Sequence, residues 1–183
     1  MTEQAPSLRI ALIGTIPNLR AFAMSLCGDP HLASDLVQET LLKGWAHRDT
    51  YVPGTNLKAW LFTILRNTYF SSLRKSRREV QDVDGAMAST LASAPEQHGH
   101  LDLADFKKAM KQLSPDQREA LLLIGAEGFS YEEVAEIAGC APGTIKSRVN
   151  RARARLAELM GLNSVDDLGA GASVQAVVQR LQA

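Results

Sequence analysis

The second half of the chain carries two capping-box sequences, and these helix start signals constrain the fold more than any other feature. Ser114 and Ser130 are followed, three residues later, by Gln117 and Glu133, so each pair can satisfy the free backbone N–H groups at a helix N-terminus. Gly139 suits the end of the second of these helices. Elsewhere the apolar residues recur at helical spacing, without strand-like runs or repeats. We therefore predict an all-α protein.

A short turn and a basic helix follow the second capping box. Pro142 favours the first position of this helix, which continues GTIKSRVNRARARL. Four apolar residues at spacings of four, three and four predict one stripe that packs on the preceding helix: Ile145, Val149, Ala152 and Leu156. Two short helices joined by a glycine-containing turn form a helix-turn-helix.

Cationic and small polar side chains occupy the rest of this helix, with no acid before Glu158. On a helical projection Ser147, Asn150 and Arg151 lie opposite the apolar stripe. Four basic residues border the stripe: Lys146, Arg148, Arg153 and Arg155. Such a helix fits a DNA major groove, with bases contacted near its N-terminus and phosphates contacted by the flanking cations. The alternative is an ordinary solvated basic face, but typical soluble helices mix Glu with Lys.

Charge is unevenly distributed although 20 basic and 20 acidic residues give a net charge of zero. Basic residues without acids fill 66–78, whereas acidic residues without Lys or Arg fill the stretch that follows. We predict two small helical domains, 1–78 and 102–162, joined by a flexible acidic linker at 79–101. The second domain contains the helix-turn-helix, and the tail at 163–183 has no functional interpretation.

The long helix predicted from about residue 57 interleaves aromatic and basic side chains. Aromatic rings can stack on unpaired bases while cations hold the backbone. Trp60 falls on the apolar face, so we expect it mainly in the core. Asn67 is polar and near the loop that carries Tyr51, and an amide with a loop aromatic could form a pocket for one flipped base.

The preceding helix, with Ser34 as its predicted cap, contains the segment DLVQETLLKGW. Its larger apolar side chains are predicted to face the core: Leu36, Leu41, Leu42 and Trp45. Asp35, Gln38 and Glu39 point elsewhere. From the residues alone, this polar face suits a partner protein and plain surface equally well.

Several classes of function lack support in the sequence. No run of eighteen apolar residues predicts a membrane span, and the first residues do not have the pattern of a secretory signal, so we expect a cytoplasmic protein. The two cysteines lie far apart and match no metal spacing. No Ser-His-Asp arrangement, phosphate loop or metal cluster indicates an enzyme. We expect no catalytic residue, metal or cofactor.

Four segments resemble the extracytoplasmic-function (ECF) sigma factors of bacterial RNA polymerase: DLVQETLLKGW, KAWLFTILRNTYFSSLRKSRR, SPDQREALLL and FSYEEVAEIAGCAPGTIKSRVNRARARL. The resemblance covers roughly residues 10 to 160, in the order and spacing of the family. The chain is also similar to the EcfG subgroup, which drives the general stress response. The resemblance implies a protein that binds core polymerase and directs promoter recognition and transcription initiation.

The resemblance also implies a role for each matching position. Five residues match the segment that docks on the clamp helices of the polymerase β′ subunit: Asp35, Leu36, Val37, Gln38 and Glu39. Tyr51 and Asn67 match positions that hold a base flipped from the −10 element, with His47 as a secondary candidate. Four residues match contacts to the −10 duplex backbone: Arg74, Lys75, Arg77 and Arg78. Four match positions that recognise the −35 element: Lys146, Ser147, Asn150 and Arg151.

Further expectations follow from the same resemblance. The acidic linker would enter polymerase channels that normally hold RNA. An EcfG-like factor would be held inactive by a small helical anti-sigma factor of the NepR type. Ala141, before Pro142, departs from the pattern because a capping side chain is expected there.

Two rival functions remain open at this stage. One is a helix-turn-helix regulator that binds DNA without polymerase. The other is a sigma mimic that traps an anti-sigma factor. Such mimics carry a receiver domain, which would need alternating strands and helices, and a decoy would not need both basic blocks.

Overall fold

A computed structural model describes residues 8–81 and 103–161, and all regular structure within them is helical, which confirms the all-α prediction. The α-helices of these residues are α1 (Leu8–Gly14), α2 (Ile16–Cys27), α3 (Pro30–Ala46), α4 (Leu57–Gln81), α5 (Leu103–Gln112), α6 (Pro115–Gly125), α7 (Tyr131–Ala138) and α8 (Pro142–Leu159). A 3₁₀ turn, Arg48–Thr50, follows α3. Because α4 continues to Gln81, its last three residues belong to the predicted linker, which otherwise lies outside the described residues, as does the tail.

The helix start signals work as the sequence predicts, with one exception. The Ser114 and Ser130 hydroxyls accept hydrogen bonds from the N–H groups of Gln117 (3.3 Å) and Glu133 (3.1 Å), and both capping boxes are complete. The prediction that Ser34 caps α3 is wrong. The helix begins five residues earlier because Asp29 accepts from two backbone N–H groups and Pro30 occupies the first turn.

The helices form an N lobe (α1–α4) and a C lobe (α5–α8). In the N lobe, α3 packs against α2 and α4, and Gly44 lets α3 and α4 approach closely, since a Cβ there would lie 3.1 Å from Leu61 Cδ2. In the C lobe the predicted stripe of α8 is buried as expected, with Ile145 and Val149 fully inaccessible. Among the described residues no single helix is long and apolar enough to cross a membrane; α1 and α2 pass that test only as a pair bent by 42°.

The two lobes pack directly against each other, and we call this contact the lobe seam. At its centre the rings of Phe62 in α4 and Phe129, which follows α6, lie 5.6 Å apart, so the apolar core is continuous across both lobes. Arg118 in α6 donates to the carbonyl of Leu26 at the end of α2. The seam therefore joins α2 and α4 of the N lobe to α6 and α7 of the C lobe.

A carboxyl group is buried in the lobe seam beside one counter-ion. Glu119 is 1% exposed, and its Oε1 lies 2.8 Å from Nε of Arg66, an ion pair without the geometry of a hydrogen bond. Burial raises the pKa of Glu119 to about 7, against the opposing effect of Arg66. Asp116 adds to this rise and Arg148 reduces it. The buried site thus favours the protonated carboxyl despite the nearby guanidinium.

The α8 N-terminus predicts a stabilising substitution. Ala141 has φ −71° and ψ 146°, close to the capping geometry of Ser130, but offers no side-chain acceptor. We expect Ala141→Ser to raise the free energy of unfolding by about 1 kcal/mol because its hydroxyl can accept from a free N–H of the first turn. Urea denaturation measures this. Ala154→Ser, exposed within the same helix, is the matched control and should not stabilise.

The raised pKa of Glu119 predicts how stability depends on pH. The folded protein holds this proton more tightly than the unfolded chain, so the stability contributed by the group falls as pH rises from about 4.5 to 7 and is constant above 7. Glu119→Gln should remove this slope and make the variant more stable than wild type at pH 8, by up to about 3 kcal/mol. Urea denaturation at pH 5, 6, 7 and 8 measures it. Equal slopes in both proteins would contradict the prediction.

Candidate DNA-binding and polymerase-docking surfaces

The outward face of α8 presents four of the predicted DNA-contacting residues to solvent: Lys146, Ser147, Asn150 and Arg151. The Arg151 guanidinium donates to the carbonyl and the hydroxyl of Ser147, both at 3.2 Å, so it is held along its own helix. The Lys146 ammonium lies 5.8 Å from the ring centre of Tyr131 in α7. The helix-turn-helix therefore presents a polar and cationic surface at the N-terminal half of α8.

The other three arginines predicted on α8 have different surroundings. Arg148 points towards α6, where its Nη2 lies 3.5 Å from Asp116 Oδ2 and its side chain is 19% exposed. Its Nη1 is buried without a hydrogen-bond partner. Arg148 is therefore largely covered by α6 in this structure, and its contact with DNA stays a prediction. Arg153 is half-buried, and Arg155 is exposed and paired with Glu158 at 2.6 Å.

The basic end of α4 forms a second cationic surface. Arg74, Lys75 and Arg78 are exposed there, and Arg74 donates to the Ser71 hydroxyl at 3.1 Å. The side chain of Arg77 lies outside the described residues. The three predicted −10 backbone contacts whose side chains the structure describes are therefore solvent-facing, whereas Arg66, at the start of the same acid-free run, is partly buried against Glu119.

A cavity of about 330 Å³ lies between α3 and α4, and it contains two of the three predicted base-binding residues, Asn67 and His47. Six further residues line it: Lys43, Thr50, Trp60, Ile64, Thr68 and Ser71. Tyr51 is not a lining residue; its ring packs against Trp60 at a tilt of 43°, with the ring centres 5.4 Å apart, and its hydroxyl donates to the Thr55 carbonyl at 2.9 Å. Tyr51 thus contacts the Trp60 ring, which forms one wall of the cavity.

None of the six further lining residues was a predicted base-binding residue, and two of them, Trp60 and Lys43, add an aromatic ring and a cation to the cavity. Trp60 is half-buried: one part packs on the core, as predicted, while another part forms the cavity wall. The Lys43 ammonium donates to the Thr68 hydroxyl at 3.0 Å and pairs with Glu39 at 2.7 Å. Lys43 lies four residues after Glu39 and four before His47. Because side chains four residues apart are neighbours on a helix, this spacing could have predicted that Lys43 lies beside His47 in the cavity.

The predicted docking segment on α3 divides into exposed and buried residues. Asp35, Gln38 and Glu39 are exposed, but Leu36 and Val37 are only 2% and 6% exposed because they pack inside the N lobe. Leu36 and Val37 therefore lie beneath the exposed face in this structure, and their contact with core polymerase stays a prediction.

Two large apolar residues extend the exposed face of α3. Leu42 is 71% exposed and Trp45 48% exposed, so the prediction that they face the core is wrong. Leu42 follows Glu39 by three residues and Trp45 follows Gln38 by seven, which places them on the same side of the helix as the acidic and amide groups. An apolar patch beside carboxylates is typical of a protein-binding surface.

The described part of the chain contains no group of three His, Cys, Asp or Glu side chains that could hold a metal ion. Cys27 and Cys140 are free and partly exposed.

Comparison with known proteins agrees with this geometry. Residues 14–79 match the family model for sigma-70 region 2, and residues 103–156 match the model for sigma-70 region 4. An ECF RNA polymerase sigma factor, EcfG of Rhodopseudomonas palustris (strain TIE-1), is 55% identical over 172 residues, covering 94% of this chain and 95% of the relative. CarQ of Myxococcus xanthus, an RNA polymerase sigma factor, is 34% identical over 79% of this chain and 84% of its own.

One solved structure is similar to this chain both in sequence and in the arrangement of its helices. The sigma factor RpoE from Bartonella quintana, crystallised with the anti-sigma factor NepR, is 56% identical and superposes with a TM-score of 0.75 over 87% of this chain and 100% of its own. The PhyRSL–NepR complex from Sphingomonas sp. Fr1 shares the fold at 21% identity, with a TM-score of 0.63 over 86% and 92%. With both sigma-70 regions matched in order, the chain belongs to the ECF sigma factors of RNA polymerase.

Proposed function

We propose that this chain binds core RNA polymerase through the exposed face of α3 and directs it to promoters by contacting two DNA elements. The observation that carries the proposal is the two-sided character of α8, whose apolar stripe is fully buried while Lys146, Ser147, Asn150 and Arg151 face solvent. A helix fixed on one side and cationic on the other suits the major groove of a −35 element.

The cavity between α3 and α4 suits recognition of the −10 element. Asn67 supplies amide donor and acceptor groups, and Trp60 supplies an aromatic wall, supported by Tyr51, for one unstacked base. The exposed cations Arg74, Lys75 and Arg78 follow on the same helix and suit the duplex backbone. Capture of the flipped base offsets part of the few kcal/mol needed to unstack it.

Regulation by a small anti-sigma factor of the NepR type is part of this proposal. It is supported by the similarity to RpoE of Bartonella quintana, which was crystallised with NepR. The relation to EcfG supports a role in transcription of general stress response genes. The protein would work in the cytoplasm and perform no covalent chemistry itself, because the polymerase forms the phosphodiester bonds.

Run-off transcription with purified core polymerase tests the function as a whole. Core plus this protein should start at defined sites on templates that carry its promoters, and core alone should not. A core-independent regulator would give a different result. The protein would bind specific DNA sequences tightly without core polymerase, and adding the protein to core polymerase would not select a start site.

Loss of one guanidinium tests the orientation of α8. We expect Arg151→Ala to reduce −35-dependent transcription roughly 5- to 150-fold, since one arginine contact to a base is worth about 1–3 kcal/mol. Affinity for core polymerase should not change. Run-off transcription and core pull-down measure the two quantities. Lys108→Ala, an exposed lysine on α5, is the matched control. Unchanged transcription in Arg151→Ala would show that another face of α8 contacts the bases.

Charge reversal on α3 tests the docking surface. Asp35→Lys combined with Glu39→Lys should weaken binding to core at least tenfold, because two exposed carboxylates become cations. Trp45→Ala should also weaken binding by removing exposed apolar area, without changing net charge. Glu132→Lys combined with Glu136→Lys makes the same charge change at exposed positions on α7, in the other lobe, and should bind core normally. Titration against labelled core polymerase measures each affinity, and equal affinity in all four proteins would refute the assignment.

A further inference from the structure

A second cavity, of about 260 Å³, lies where the end of α2 meets α5 and α6, and we call it the α2–α5 cavity. One face of α2 and its C-cap line it on one side, with residues at helical spacing: Ala21, Met24, Ser25 and Gly28. Phe106 and Met110 of α5 and Leu122 of α6 also line it, and all three are buried. Much of the cavity wall is therefore apolar.

The charged side chains that line this cavity are all cationic. Lys107 and Lys111 come from α5 and Arg118 from α6, and no Asp or Glu is among the described residues that line it. The two lysines lie four residues apart, so they share one face of α5, and both are exposed. A cavity that combines an apolar wall with several cations suits a molecule with an apolar part and an anionic head.

The two lysines are available to such a head group. Within the part of the chain that the structure describes, neither has an ion-pair partner, whereas the neighbouring Lys108 pairs with Asp105. Lys111 also passes close to the end of α2, because a Cβ on Gly28 would lie 3.1 Å from its Cε and 3.8 Å from its Nζ. The absence of a side chain at Gly28 therefore leaves room for Lys111 beside the cavity.

Arg118 adds a buried positive charge that has no carboxylate partner among the described residues. It is 8% exposed, and its hydrogen bonds to backbone carbonyls use four of its five N–H donors. Burial lowers the pKa of Arg118, so its charged form is less favourable than it would be in water despite these carbonyl dipoles. An anion in the cavity would supply the full negative charge that the carbonyls do not.

We propose that the α2–α5 cavity binds a small amphipathic carboxylate. Its apolar chain would lie against the three buried side chains of α5 and α6, and its carboxylate would lie among the three cations. The volume is just below the range of about 300–1,000 Å³ that is typical of pockets for drug-sized ligands, so a short unbranched chain fits. No residue assigned above to a DNA or polymerase surface lines the cavity, so the site is independent of the proposed function.

Titration of the full-length protein with octanoate and hexanoate tests the site. Calorimetry should show saturable binding at one site. Each buried methylene should strengthen binding about fourfold, so octanoate should bind about fifteenfold more tightly than hexanoate. Octylammonium has the same chain with a cationic head, and it should not bind because it would meet three positive charges.

Methyl NMR locates the bound molecule. With labelled methionine methyl groups, octanoate should shift the signals of Met24 and Met110, which line the cavity. Met160, which follows α8 and is not a lining residue, provides the internal control and should not shift. A shift confined to Met160, or no shift with saturating octanoate, would overturn the assignment.

Substitutions separate the two parts of the site. Lys107→Gln combined with Lys111→Gln should weaken octanoate binding roughly tenfold or more, because two charged hydrogen-bond donors are lost. Lys108→Gln combined with Arg9→Gln makes the same charge change at exposed positions outside the cavity and should bind normally. Ala21→Phe should abolish binding by filling the apolar part while all three cations remain. Circular dichroism checks that each variant keeps the wild-type helix content.

Other occupants predict different results. Equal affinity for octanoate and hexanoate, equal binding by the two double variants, or no saturable binding at millimolar octanoate would each overturn the proposal. If octanoate does not bind but Lys107→Gln with Lys111→Gln weakens binding of an anti-sigma factor of the NepR type, the cavity belongs to a protein-binding surface instead. Self-association in sedimentation that this variant abolishes would assign the cavity to a second copy of the chain.

Discussion

The buried guanidinium of Arg118 is the interaction on which the arrangement of both lobes depends. It donates to carbonyls at the end of α5, those of Met110, Lys111 and Leu113, and to the Leu26 carbonyl at the end of α2. The last carbonyls of a helix lack partners within it and carry partial negative charge. One side chain thus satisfies the C-termini of helices from two lobes. No carboxylate pairs with it among the described residues, so these carbonyl dipoles compensate its charge.

Local signals in the sequence predicted the C lobe well and the N lobe less completely. Capping boxes and the stripe of α8 depend on residues three or four apart, and the structure reproduces them. The exposure of Leu42 and Trp45, and the burial of Val37, depend instead on which neighbours α3 meets. Helical periodicity identifies a face but not the helix that covers it, and α3 is covered on two sides, by α2 and α4. Leu42 and Trp45 were therefore predicted to face the core, although they lie on the exposed side of α3.

The long-range contacts of charged residues could not be predicted from the sequence either, because local spacing does not show which helix covers a given face. Arg118 and Glu119 lie within the polar start of α6, where charged side chains are ordinarily solvated. Their burial results from the approach of the N lobe, which no local spacing encodes. Arg148 illustrates a smaller error: it borders the stripe on a helical projection, and only the position of Asp116 decides that it turns inward. By contrast, Arg151 lies opposite the stripe, so the projection alone predicts that it faces solvent.

Helix α6 connects DNA recognition to the lobe seam. Its Asp116 is the partner of Arg148 on α8, and its Glu119, one turn further along, is the partner of Arg66 on α4. The pKa of Glu119 responds to Arg66, Asp116 and Arg148 together, so these four charges form one electrostatic group. Helix α6 thus places a contact to the recognition helix and a contact to the N lobe one helical turn apart.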